Sequence, residues 1–215
     1  MTDVVPKTNR IDPLGEPATG TRAAIFEAAY DEFAEKGRSG ASMRAIARRA
    51  GCTQSLVHHH FGSKDDLWEA ASRDIAKLWF DLSSDFLDDP EPDAAAVREI
   101  LQTLWSFWQA NPRALRMGTW LLLEGALDEQ RETHERGHAR ILSAFHRAQR
   151  TGAVRSDIPV DVMVLAVYSA VTQACLATMK GSSFQIGFES STDEIIDGLF
   201  RLLRPQEQQV EQQST

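Results

Sequence analysis

Cysteine is almost absent from this chain. Cys52 and Cys175 lie far apart in 215 residues, and neither belongs to a C-x-x-C pair. That spacing argues against a disulfide framework or a zinc knuckle and fits small core residues in a reducing compartment. An uninterrupted run of about 18 apolar residues is also missing. The opening stretch, MTDVVPKTNRIDPLGEPATG, does not have the charged-then-apolar layout of a secretory leader. The expectation is a cytoplasmic protein with no membrane segment. Also lacking are a Gly-rich phosphate loop, a nucleophile elbow and a dispersed acid pair, so neither an enzyme nor a cofactor is expected from the motifs present.

What is present is charge, unevenly placed. The chain carries a formal charge of -8. Yet the window from Arg38 to Lys64 holds Arg38, Arg44, Arg48, Arg49 and Lys64 with no Asp or Glu. A basic window on an acidic body is the charge footprint of a module that meets an anion while the remainder stays soluble.

Apolar residues recur at helical spacing, with no convincing period-2 strand. Ile25, Phe26, Ala29 and Phe33 form one stripe and Met43, Ile46, Ala47 and Ala50 another. Further helices are expected over 64–87, 93–110, 112–125, 128–150, 160–180 and 192–203, with Pro, Gly and Asn as punctuation. The prediction is an all-α chain of about nine helices. It divides into a flexible N-terminal arm over 1–20, helical segments between about 21 and 204, and a polar tail over 205–215.

The stretch RRAGCTQSLVHHHFGSKDDL contains three consecutive histidines. Ser42 is placed to cap a helix from Met43, Gly51 to end it in the left-handed conformation, and Thr53 to cap a second helix from Gln54. Neighbours on a helix diverge by about 100 degrees, so His58, His59 and His60 do not converge as metal ligands. Centring the buried face on Val57 turns His60 inward, with a satisfied ring nitrogen expected. His58 and His59 turn outward with Gln54 and Ser55. Short polar residues on an exposed helix face after a tight turn suit base edges and phosphates. Lys64, following the Ser63 cap of the next helix, adds a cation near a positive helix terminus.

These residues carry a resemblance. SMRAIARRAGCTQSLVHHHFGSKDDL resembles the DNA-binding signature of the TetR family of bacterial transcription regulators, and RAAIFEAAYDEFAEKG resembles that family's first helix. The resemblance implies a three-helix helix-turn-helix DNA-binding domain over 21–66 joined to a larger helical effector-binding and dimerisation domain over 67–204. It implies a homodimeric regulator, a repressor released from a palindromic double-stranded DNA operator by a small-molecule effector. By motif, Thr53 and Lys64 would hold phosphates, with Gln54 and Ser55 near bases. Ser42, Arg44, His58 and His59 complete the expected DNA-contacting set. The family usually has Tyr where His58 stands. The resemblance also implies that the helix from Lys64 to Leu87 acts as a lever.

A rival motif lies further on. HERGH, from His134 to His138, matches the H-E-x-x-H pattern of zinc-dependent hydrolases, with two histidines one turn apart and a Glu as base. The extended pattern wants another His where Ala144 stands, and Gly137 weakens the helix centre. His134 and His138 are therefore expected to line an effector pocket, or to make a plain interhelical contact, rather than to bind metal. Trp105, Trp108, Trp120 and Tyr168 would add aromatic surface to that lining, with Glu124, Thr172 and Gln173 as orienting polar groups. The helices 160–180 and 192–203, apolar around much of their circumference, are expected to pair with a second copy.

Overall fold

A computed structural model describes residues 20–125, 128–178 and 190–205, with the side chains of 128–134 excepted. The expected arm over 1–20 and tail over 205–215 lie almost wholly outside the described residues. Within them the chain is all-α, with ten helices and no strand: α1 Thr21–Gly40, α2 Met43–Arg49, α3 Gln54–Phe61, α4 Lys64–Leu82, α5 Ser84–Asp88, α6 Ala94–Ala110, α7 Pro112–Glu124, α8 Asp128–Arg150, α9 Val160–Thr178 and α10 Thr192–Leu203.

The extra helix comes from a break. The helix expected over 64–87 stops at Leu82, and at Ser83 the backbone leaves helical geometry (φ -101°, ψ 4°) before α5 begins. The local sequence LSSDFLDD explains the position. Serine competes for backbone hydrogen bonds and so favours helix ends over helix interiors, and Asp85 then lies in the first turn of α5, where the helix dipole favours an anion.

The contacts divide the chain into two compact units, one of residues 1–82 with 106–135, the other of 83–105 with 136–215. The first unit contains α1 to α4, the end of α6 and all of α7. Its core uses most of the expected stripes: Ile25, Phe26, Ala29 and Phe33 from α1, and Met43, Ile46 and Ala47 from α2, are buried, while Ala50, at the C-cap of α2, is half buried. Val57 is the one buried residue of α3. The Trp68 ring of α4 meets Phe33 edge-on at 5.0 Å, and each such side chain taken out of water contributes about 1.5 to 3 kcal/mol. α7 is clamped to α1 at its beginning, where Arg113 bonds Asp31 at 2.7 Å and Glu27 at 2.8 Å. Burial works to lower the Arg113 pKa, but the hydrogen bonds to Asp31 and Glu27 outweigh it and leave the value raised.

In the second unit, Phe86 of α5 packs edge-on against Phe145 of α8 at 5.3 Å. Arg140 bonds both carboxylate oxygens of Asp88, and Arg147 bonds the carbonyls of Leu87 and Asp89. A capping box between Ser191 and Glu194 starts α10, and Arg98 holds Asp197 at 2.7 Å. α9 qualifies the expectation of no membrane segment. By length and composition alone it could cross a membrane, with a mean hydropathy of 1.7, and 39% of that window is buried inside the protein. Met163, Val164, Val167, Val171 and Cys175 are buried, while Val162 and Leu165 are exposed.

Candidate nucleic-acid interface

The turn between α2 and α3 is built as the sequence indicates. Ser42 Oγ accepts the Ala45 N–H at 3.2 Å and Thr53 Oγ1 accepts the Leu56 N–H at 3.3 Å, capping both helices. Gly51 has φ 67°, a left-handed conformation that glycine adopts without strain. Gln54, Ser55, His58 and His59 are exposed together on α3, with the two ring nitrogens of His58 already engaged by the Gly62 carbonyl and the Gln54 amide. The Thr53 hydroxyl still has its proton to donate while its oxygen caps.

His60 is only half buried. Its ring meets that of His59 at 5.4 Å, and its carbonyl accepts Nη1 of Arg22 at 2.6 Å. The satisfied ring nitrogen expected for it is not found among the described residues. Val57, the expected centre of the inward face, is buried without it.

The basic window is thinner than its formal charge. Arg49 bonds Glu35 at 2.7 Å and reaches the buried carboxylate of Glu32 at 3.4 Å, and its hydrogen bond is the main reason that the Glu35 pKa lies below the ordinary value. Arg38 stands 3.6 Å from Asp65 and 3.9 Å from Glu124. Lys64 Nζ donates to the Ala41 carbonyl at 3.2 Å, beside the start of α2, and keeps two protons for an anion. Arg44 and Arg48 are exposed and have no acidic partner among the described residues. Arg48 was not expected in the contact set. Its signal was the four-residue spacing from Arg44, which puts both on one helix face.

At the start of α4, Asp66 Oδ2 accepts both the N–H and the hydroxyl of Ser63 at 2.7 Å, and Ser63 Oγ accepts the Asp66 N–H at 3.1 Å. The backbone bond, then the hydroxyl, hold the Asp66 pKa below the usual aspartate value.

The residues expected to line an effector pocket are spread over both units. In the first, Trp108 is buried and Trp120 half buried. Glu124 has its carboxylate on α1, accepting the Arg38 N–H at 3.0 Å and the Ser39 N–H at 3.3 Å. These contacts surround Gly37, where φ is 69° and a Cβ would stand 2.7 Å from Glu124 Oε1 and 2.8 Å from the Trp120 ring. In the second unit, Trp105 and Thr172 are buried, Gln173 is exposed, and burial raises the Tyr168 pKa. His138 is exposed, and the side chain of His134 lies outside the described residues. Among the described residues no three His, Cys, Asp or Glu side chains gather as a metal site.

With a capped helix, a left-handed glycine and a second capped helix exposing a polar face, the geometry is that of a helix-turn-helix. The family model for bacterial regulatory proteins of the tetR family matches residues 25–71, and that for the tetracyclin repressor-like C-terminal domain matches 96–192. The chain belongs to the TetR family of bacterial transcriptional regulators. It is 26% identical over 186 residues to the HTH-type transcriptional repressor SCO4008 of Streptomyces coelicolor, covering 86% of this chain and 93% of that protein. It is 28% identical over 160 residues to the HTH-type transcriptional repressor AcnR of Corynebacterium glutamicum, covering 69% and 77%. A TetR family transcription regulator from Marinobacter aquaeolei shares the fold, with a TM-score of 0.69 at 19% identity over 85% of this chain and 95% of that one. The TetR assignment thus covers both the reader and the helices beyond it.

Proposed function

We propose that this TetR-family protein is a cytoplasmic homodimeric repressor that holds an inverted-repeat operator through α3 and is released from it by a small-molecule effector. The observation that carries the reading is the exposed polar face of α3 beside the uncompensated cations Arg44 and Arg48. In it Gln54 and Ser55 face base edges, His58 and His59 stand at the groove margin, and Thr53, Ser42, Arg44 and Lys64 hold phosphates. The exposed apolar residues of α9 and α10 support pairing with a second copy. For release, α7 is the natural relay within the first unit, since Arg113 and Glu124 grip α1 at both ends of that helix. An effector relieves repression only by favouring one state of this relay over the other. Within the second unit, Trp105, Tyr168 and Thr172 remain its candidate lining. The helix-turn-helix and the relatives' names favour a regulator over a zinc-dependent hydrolase using HERGH.

The test is selection of purified protein against duplexes containing a randomised segment. The reading predicts enrichment of an inverted repeat whose half-site centres lie about one helical turn apart or slightly more. Enrichment of an asymmetric site, or of none, would overturn it.

A further inference from the structure

The imidazole of His58 is held at both ends. Its Nδ1 lies 2.7 Å from the Gly62 carbonyl oxygen, and the Gly62 N–H donates back to the His58 carbonyl at 2.9 Å. A carbonyl oxygen only accepts, so the ring proton sits on Nδ1, and in the neutral ring Nε2 is left as an acceptor. That Nε2 stands 3.4 Å from Nε2 of Gln54, one helical turn earlier. The amide N–H of Gln54 therefore donates to it. Gly62 is itself fixed: its φ is 74°, and a Cβ there would stand 2.6 Å from Asp66 Oδ2.

With one N–H given to His58, Gln54 offers its Oε1 and its second N–H outward. That acceptor and donor pair matches N6–H and N7 of adenine. Protonation of His58 adds a hydrogen at Nε2, and two donors then confront each other. Turning the amide by half a rotation relieves this, because Oε1 then accepts from His58 and both N–H groups face outward. Two donors match the O6 and N7 acceptors of guanine.

We infer that His58 is a specificity-determining positioning residue, whose ring sets which hydrogen-bonding edge Gln54 offers to a base. Base preference at that one position then follows the charge of the imidazole. The inference rests on the reading of Gln54 as base-facing. Around His58, its own helix contributes His59 and His60, and the first turn of α4 contributes Lys64, Asp65 and Asp66. Of these, Asp66 has its Oδ2 bonded to Ser63. α2 contributes the cations Arg44 and Arg48, and Arg22 of α1 is occupied by the His60 carbonyl and the Phe61 ring.

The experiment is selection of the full-length protein on a randomised inverted-repeat library at about pH 8 and about pH 6, the range in which imidazole ordinarily changes charge, at one salt concentration. Wild type, Gln54→Ala and His58→Phe are compared, with His58→Asn as a second variant should the phenylalanine prevent folding. One position in each half-site should move from adenine to guanine as pH falls, by about fivefold or more, the lower end of what one bidentate pair discriminates. Gln54→Ala should lose preference there at both pH values, and the His58 variants should keep one preference at both. If Gln54→Ala leaves every position unchanged, the base-facing reading of Gln54 fails and takes the inference with it. If Gln54→Ala does remove a preference but wild type selects the same base at both pH values, the inference alone is overturned. Tighter binding at low pH with an unchanged pool would likewise overturn it, since it would make His58 a phosphate contact. A pH shift that persists without the imidazole would do the same.

Discussion

α3 and α9 each leave a face uncovered, and the two faces have opposite chemistry. α3 exposes Gln54, Ser55, His58 and His59, whereas α9 exposes Val162, Leu165 and Ala166. A polar face is at ease in water and gains by exchanging water for the donors and acceptors of a groove. An apolar face gains about 25 cal/mol for each Å² removed from water, whatever surface removes it, provided the shapes fit. The first chemistry therefore suits discrimination among partners, and the second suits permanent assembly. α10 extends the second kind with Leu202, which is 67% exposed.

The largest expected effect comes from reversing the chemistry of the apolar face. Leu165→Glu or Leu202→Glu puts a charge on a side chain that is exposed in the single chain, so the helical signal in circular dichroism should persist. In a dimer the same carboxylate would be buried unpaired, at a cost of about 3 to 5 kcal/mol. Sedimentation should then give a monomer, and DNA binding should be lost with the dimer. A folded variant that still sediments as a dimer and binds normally would show that another face pairs.

A smaller effect should follow from disturbing what supports the polar face. Gly37→Ala forces a Cβ into a left-handed backbone position and against Glu124 and Trp120, at a cost of about 1 to 3 kcal/mol. Thermal unfolding should move down and DNA affinity should weaken, because the end of α1 that leads into α2 is displaced. Unchanged stability would mean that the α7 clasp is loose.

Smaller again is the cap that follows α3. Asp66→Ala removes the carboxylate half of the Ser63 box, at about 1 kcal/mol. Because the folded Asp66 pKa is depressed, its contribution is complete above the ordinary aspartate range and disappears as pH falls below it. The stability gap between wild type and Asp66→Ala, measured by denaturant titration, should therefore close in acid. A gap that stays constant from neutral pH to about pH 3 would contradict this account of the cap.

The reader was legible in the sequence because its devices are local. Ser42, Gly51, Thr53 and Ser63 act on partners within a few residues, and the period of α3 alone separates Val57 from His58 and His59. The fate of the cations was not legible. Arg49 is taken by Glu35, 14 residues away, and the Arg38 guanidinium stands 3.9 Å from Glu124, which lies far along the chain on α7. Such pairings depend on how α1, α2 and α7 pack, which no local pattern states. The same limit applies to Glu124, whose place at the end of α7 gave no sign that α1 would supply its hydrogen bonds. The break at Ser83 lay within an otherwise helical pattern, where two serines were the only signal.

On the proposed function, the polar face of α3 reads bases while the cations beside it hold phosphates. The deciding measurement is of the affinities of wild type, Gln54→Ala, Lys64→Ala and Arg44→Ala for a selected and a scrambled duplex across a salt series. Gln54→Ala should lose about 1 to 3 kcal/mol on the selected duplex and little on the scrambled one, with its salt dependence unchanged. Lys64→Ala and Arg44→Ala should weaken both duplexes alike and flatten the salt dependence by about one unit per lost contact, hence about two per dimer. Should Gln54→Ala change only the salt slope while Lys64→Ala or Arg44→Ala changes sequence preference, α3 does not lie in the groove as described.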